Sequence, residues 1–199
     1  MTIGKVIIEP FRPEEIEKAA GLLARAFTTE PNNLAIFKGE HNLEARQKPL
    51  FIRMLTSFPG TIVVAKKDKV IIGVSCISKW PQCHMASLQI LDYLLSTIGV
   101  LRLGVFREMK IRILWSKLDP KEPHWHIGPI GIEPAFQHRG IGSQLMKYVC
   151  NLADKERQPA YLETDNASNV RFYQRFGFSI IKTATVNGVL NSFMWRSAR

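Results

Sequence analysis

Cysteine is scarce in this chain: three in 199 residues, at positions 76, 83 and 150. An odd, widely spaced set makes no disulfide framework, so a cross-linked secreted scaffold is excluded and a reducing, cytoplasmic setting is expected. No signal-peptide pattern precedes Val6. Acid is short as well, with 17 Asp and Glu against 27 Lys and Arg, a net charge of +10. Such a balance draws polyanions of every kind, from nucleic acid to phosphate-rich cofactors, without choosing among them. Because the basic residues are spread along the chain, no nucleic-acid partner is expected. A long apolar run is missing too. The nearest, Leu88 to Phe106, carries Gln89, Asp92 and Arg102, which are costly at the middle of a bilayer, so no integral membrane segment is expected. Repeats and low-complexity tracts are absent.

What is present is enough for one good core. Hydrophobic residues make up 46% of the chain and charged ones 22%, which excludes disorder as the general state. The segment Lys5 to Phe11 reads as a first strand, closed by Pro10 and Pro13. From Glu14, the residues Ile16, Ala19, Ala20, Leu23 and Phe27 recur at helical spacing, and a second helix runs through Leu43, Leu50, Met54 and Leu55, ending before Pro59-Gly60. Thr61 to Ala65 and Val70 to Ser78 are β-rich runs joined by a charged turn, Lys66 to Lys69. Met85 to Ser116 reads as helical, with interruptions suggested at Gly99 and Gly104. Three roles stay open for it, beside the plain one of a peripheral helical pair: covering a substrate cleft, pairing copies in a homodimer, or touching a membrane surface. Beyond Pro120 the order is strand (His124 to Ile132), helix (Gly140 to Lys155), strand (Ala160 to Thr164) and short helix (Asn169 to Phe176). A last strand pair, Phe178 to Thr183 and Asn191 to Trp195, turns at Asn187-Gly188. Strands alternating with helices indicate a mixed α/β sheet.

The segment Gln137-His138-Arg139-Gly140-Ile141-Gly142-Ser143 links a strand to a helix bearing Leu145, Val149 and Leu152 on one face. Free amides and the helix dipole favour an anion at such an N-terminus, and glycines there let the backbone come close to phosphate oxygens. His138 and Arg139 add donors and charge. A P-loop would need Gly-Lys-Ser/Thr, whereas Gly142 is followed by Ser143-Gln144. A dinucleotide fingerprint would want a third glycine where Leu145 stands; Glu163 fits its acid position, but no second nucleotide-binding half follows. On its own the segment marks only an anion site.

Together with its surroundings it resembles the GCN5-related N-acetyltransferase (GNAT) superfamily. The signature Gln/Arg-x-x-Gly-x-Gly/Ala is Gln137 to Gly142, preceded by the apolar strand Ile127 to Ile132. A second segment, Asn169-Val170-Arg171-Phe172-Tyr173-Gln174-Arg175-Phe176-Gly177-Phe178, is similar to the family's later Asn–Phe-Tyr–Gly-Phe motif, with the Asn one residue closer. The resemblance is strongest over 123–183 and extends loosely across the chain. It departs from a minimal family member in the long 85–116 stretch.

The resemblance implies a single α/β (α+β) domain over 1–199 with a helical elaboration at about 85–118. Its central mixed, mostly antiparallel sheet would be splayed between two parallel strands and flanked by helices. It implies acetyl-CoA as donor and transfer to a primary amine, on a small molecule or a peptide, by direct attack in a ternary complex. No Cys or Ser sits in a recognisable nucleophile setting. Implied cofactor contacts are Ile130, Gly131 and Ile132 on the strand, Gln137, His138, Arg139, Gly140, Ile141, Gly142 and Ser143 in the loop, and Asn166, Asn169 and Tyr173 beyond it. Pro129, lacking an N–H, suits the place where the strands part. Tyr173 is the implied general acid, since a phenol is protonated at neutral pH. For the base, His126 ranks first, then Glu163, His124 and Glu133. His124 and His126 alternate on one strand and should face the same way, unless a bulge at Gly128-Pro129 intervenes. No metal is expected, because the histidine pair lacks a third ligand at any near spacing. Asn166 or Ser168 serves equally well as a helix N-cap. The rival from another class is a non-catalytic acyl-CoA-binding sensor, which would have no use for Tyr173.

Overall fold

The computed structural model describes residues 5–83 and 87–199. Strand β1 (Ile7–Pro10) leads into helix α1 (Ile16–Ala26), whose Ala19, Ala20, Leu22 and Leu23 are buried while Glu17 and Arg25 face outward. A short helix that the sequence did not announce, α2 (Pro31–Ile36), follows before α3 (Leu43–Ser57). Pro31 opens α2 at a position where its missing N–H costs nothing. Strands β2 (Thr61–Lys67) and β3 (Val70–Lys79) form the expected hairpin, with Asp68 and Lys69 in left-handed conformation at its tip. Ile71 to Ser78 of β3 are buried throughout, as befits a strand covered on both faces.

The expected helical stretch resolves into α4 (Ser87–Leu101) and α5 (Gly104–Leu118). Its expected start, Met85, lies outside the described residues. The break falls at Arg102-Leu103, so Gly104 marks it and Gly99, inside α4, does not. Helix α5 bridges two parts of the molecule. Arg107 donates from Nε to the Ile36 carbonyl of α2 at 3.0 Å. Then come β4 (Trp125–Ile132), α6 (Ile141–Lys155), β5 (Ala160–Thr164), α7 (Ala167–Gln174), β6 (Ser179–Val186) and β7 (Val189–Arg196). Asn187 of the β6–β7 turn donates to the Arg107 carbonyl at 2.9 Å, and Trp115 donates to Asn191 Oδ1 at 3.2 Å. The insertion is thereby tied to the last hairpin as well as to α2.

All seven strands join one mixed sheet in the order β1-β2-β3-β4-β5-β7-β6. Every neighbouring pair is antiparallel except β4 and β5. Helix α1 packs Leu22 and Leu23 on one face. On the other, Ile141, Leu145, Met146 and Val149 of α6 are buried against β3, β4 and β5. Shortening any of these fully buried side chains to alanine costs about 2–5 kcal/mol, so this face sets the position of the α6 N-terminus rigidly. Among the described residues no helix is long and apolar enough to cross a membrane.

Candidate active site

The parallel pair β4–β5 is short. Only Trp125↔Ala160 and His126↔Tyr161 are in register; beyond them the strands part. The cause lies in β4. Its pairing with β3 runs Ile77↔Ile127 and then Ser75↔Ile130, so Gly128 and Pro129 together oppose Cys76: the bulge considered above is real. The bulge also shifts the alternation of amides. The Glu133 N–H bonds the Ile72 carbonyl at 3.1 Å, on the β3 side. Alternating back from there, the N–H groups of Ile132 and Ile130 point away from β3, into the gap where β5 has left. The Ile132 carbonyl, on the same side, is taken by Gln137 Nε2 at 3.2 Å. Two amides thus line an opening with no strand to satisfy them. Gly131, expected to share that role, does something else. It pairs with Val74 and faces α1, where an added Cβ would lie 2.6 Å from Leu23 Cδ2. Its smallness lets the helix sit down on the sheet.

The loop at the end of β4 reaches α6 through two residues in left-handed conformation, His138 (φ 59°) and Gly140 (φ 80°). Gly140 is the N-cap of α6, and no side chain caps it. The first amides of the helix therefore face outward unopposed, at the positive end of the dipole. A Cβ on Gly140 would meet nothing within 4 Å, so the ground in front of these amides is open. His138 and Arg139 are exposed beside it, and Arg139 rests over the Phe136 ring at 5.6 Å. This cradle suits a pyrophosphate, with the gap between β4 and β5 leading away from it. The structure fits the implied coenzyme A on that ground.

Because β4 and β5 run parallel, their C-terminal ends lie at the same edge, so α7 starts next to the loop. Phe172 of α7 comes close to Gly142. Asn166 caps α7, its Oδ1 accepting from Ser168 N at 3.0 Å and Ser168 Oγ at 2.7 Å, which settles the capping alternative in its favour. Tyr173 is half-buried, its ring edge-on to Phe172 and Phe178. Burial raises its pKa, and the charges of Glu30 and Asp165 raise it further, so the phenol keeps its proton at any ordinary pH.

Those two carboxylates were not found from the sequence. Glu30 stands at the N-cap of α2 and Asp165 directly after β5. They hydrogen-bond to each other, and Asp165 also accepts the Asn32 amide at 2.6 Å. Burial first, and then the Asp165 charge and hydrogen bond, push the Glu30 pKa up to about 7, with Asn166 working the other way. A carboxyl near 7 is half-ionised at neutral pH, which is where a proton acceptor works best.

The four bases named earlier each have partners of their own. Glu133 is locked by Arg25, which reaches its two oxygens from Nε at 2.9 Å and Nη2 at 2.8 Å. His126 and Glu163 are brought together, Nε2 to Oε2 at 3.0 Å, with Glu163 two residues beyond the last paired step of β4 and β5. Burial opposes charge on His126. The Glu163 carboxylate beside it, with Cys83 and Asp119, outweighs burial and holds its pKa well above the ordinary histidine value. His124 does face the same way, with ring centroids 6.1 Å apart, and is fully enclosed. The expectation that no third ligand stands near these histidines is corrected by the fold. Cys83 and Asp119, distant in sequence, lie against them with their ligating atoms.

The sheet order, the splayed parallel pair and the uncapped glycine turn define an acyl-CoA-type transferase fold. The Acetyltransferase (GNAT) family model matches residues 23–178, and the chain belongs to that family. N-alpha-acetyltransferase 50 of Danio rerio is 25% identical over 88 residues, 41% of this chain and 52% of that protein, so the match spans about half of the relative's length. Among solved structures, a histone acetyltransferase HPA2 and related acetyltransferase from Corynebacterium glutamicum is similar, with TM-score 0.72 and 18% identity over 98% of this chain and 97% of that one. Arylalkylamine N-acetyltransferase 2 from Aedes aegypti gives TM-score 0.64 at 15% identity, covering 98% and 100%.

Proposed function

We propose that the protein transfers acetyl from acetyl-CoA to a primary amine by direct attack within a ternary complex, with Glu30 as general base and Tyr173 as general acid. The observation that carries this is the Glu30–Asp165 pair acting on Tyr173 at the edge where β4 and β5 diverge. Each requirement of thioester aminolysis then has a group. The amides of Ile141, Gly142 and Ser143, flanked by His138 and Arg139, hold the pyrophosphate; Gln137 shapes the loop through its bond to Ile132. Acetyl-CoA held there would supply the acetyl group, activated as a thioester. The N–H groups of Ile130 and Ile132 are free to polarise a carbonyl in the gap. Asn169 on α7 is the side chain available to the pantetheine amides, Asn166 being occupied as a cap.

A primary amine arrives protonated and must lose a proton before it attacks. The paired carboxylates favour a cation, and Glu30, with its pKa about 7, accepts that proton at Oε. Tyr173 holds its proton on Oη until the departing sulfur needs it. His126 and Glu163, the first two bases expected from the sequence, are engaged with each other, which favours Glu30 in their place. The resemblance to amine acetyltransferases supports a small-molecule or peptide amine, and the reaction is expected in the cytoplasm. Screening primary amines for thiol release from acetyl-CoA tests the proposal. Turnover with at least one amine is expected; tight acetyl-CoA binding with no turnover across the panel would overturn it in favour of a sensor.

A further inference from the structure

From the same face of the sheet, but from residues the transfer reaction does not use, we infer a second site: Cys83, Asp119, His124 and His126 form a tetrahedral zinc site. Each offers one ligating atom, and all four atoms lie within 4.8 Å of one another. His124 Nε2 is 3.5 Å from Asp119 Oδ1 and 3.9 Å from Cys83 Sγ. Zinc bonds of about 2.0–2.3 Å in a tetrahedron put ligand atoms about 3.3–3.7 Å apart. The two separations are near that range, and the widest pair needs to close by about 1 Å. One thiolate, one carboxylate and two imidazoles are the ligand types zinc takes.

The surroundings are those of a metal site too. A ligating histidine donates its other N–H to a carbonyl or carboxylate, which fixes the tautomer and aims the free lone pair. His124 Nδ1 stands 2.7 Å from the Glu122 carbonyl, leaving Nε2 for the cluster. His126 Nε2 is taken by Glu163 at 3.0 Å, and its Nδ1 is buried with no hydrogen-bond partner. Both histidines are thus oriented by groups outside the cluster, one by backbone and one by an acid. The enclosure is complete on the sheet side, where Tyr161 stands edge-on to both rings at 5.5 and 5.3 Å. With four protein ligands the site has no open position, so its role is structural.

The placement says what it would hold. Cys83 lies just after β3, its N–H bonded to the Lys79 carbonyl at 3.2 Å, and Asp119 caps the end of α5. His124 directly precedes β4 and His126 is its second residue. A zinc there joins both ends of the α4–α5 insertion to the sheet, fixing the helices that bridge α2 and the β6–β7 hairpin.

The test uses the full chain and metal alone. Wild-type protein dialysed against zinc and then freed of loose metal should retain about one zinc per chain, and cobalt substitution should give tetrahedral d–d bands with a thiolate-to-cobalt charge-transfer band. Cys83→Ser should abolish the charge-transfer band and weaken zinc binding at least about 100-fold, while Cys150→Ala retains both. Glu163→Gln should weaken it about tenfold, as loss of an orienting partner does. Wild-type protein that retains no zinc and gives no cobalt spectrum would overturn the inference, whatever the variants do. So would Cys83→Ser binding zinc as tightly as wild type.

Discussion

Glu30 and Asp165 hydrogen-bond to each other where two distant parts of the chain meet, one from the start of α2 and the other directly after β5. Neither belongs to a motif read from the sequence, yet their charges are the ones that act on the Tyr173 phenol. The pair joins the N-terminal half, which carries α1 and α2, to the half that holds the cofactor loop. In the proposed reaction this pair supplies the base and Tyr173 on α7 the acid.

Replacing the base should show in the pH profile. With a pKa about 7, Glu30 makes kcat/KM climb through neutrality and level off above it. Glu30→Gln is expected to lower kcat/KM by about 10²–10⁴ and to remove that rise. The same shift has a stability sign. The folded chain holds the Glu30 proton more tightly than an unfolded one, so this contribution is present below the ordinary carboxylate range and is lost as pH rises through about 7. Because the group is partly solvated, Glu30→Gln should gain on the order of 1 kcal/mol over wild type at pH 8 and nothing at pH 5. Melting curves at the two pH values check it; an unchanged pH–rate profile would remove Glu30 from the base role.

Tyr173→Phe keeps the ring that packs on Phe172 and Phe178 and deletes only the proton donor. Acetyl-CoA affinity, measured by calorimetry, should stay within about twofold, while kcat falls by about 10²-fold or more. The loss should be smaller for thioesters with more acidic thiols, whose departing sulfur needs less help. A rate equal to wild type would leave the phenol as packing alone.

Gly140→Ala probes the cradle without filling it, since its Cβ would meet nothing within 4 Å. The strain comes from the backbone, held at φ 80°, where an L-residue costs about 1–2 kcal/mol. Relaxing that strain turns the first amides of α6 away from the phosphates. The apparent Kd for acetyl-CoA should rise about tenfold, equivalent to roughly 1.4 kcal/mol, with kcat at saturation nearly unchanged.

What the sequence showed and what it hid follow from the range of the interactions. The cradle is local: glycines at fixed offsets, between an apolar strand and an amphipathic helix, are legible because every part lies within a few residues. The segment that carries Tyr173 is legible for the same reason. Pro129 and Gly128 signalled the bulge, and the bulge sorted Ile130 and Ile132 from Gly131, which no local pattern separates. Thr28-Thr29-Glu30-Pro31 has no periodicity to announce α2, and Glu30 matters only because β5 delivers Asp165 to it. Cys83 and Asp119 are hidden in the same way, standing on either side of the α4–α5 insertion and meeting only when its ends close on β4.

Glu133 offers the control that separates position from chemistry. It sits directly after β4, where sequence reasoning allowed a base, but Arg25 binds both its oxygens and in turn reaches Glu44 at 3.2 Å. Hydrogen bonding to Glu133 is the leading reason the guanidinium pKa is raised, which marks the pair as a clamp of α1 on the sheet. Removing the charge in Glu133→Gln leaves one bond to a partly exposed arginine, so stability should drop by about 1 kcal/mol. The activity ramp near pH 7 should remain, because Glu30 is untouched. Arg25→Ala should cost a similar amount or more, as it also frees Glu44, and it too should keep the ramp. Denaturant titrations paired with pH–rate profiles on the two variants distinguish the roles. A lost ramp in Glu133→Gln, at nearly wild-type stability, would move the base from α2 to β4.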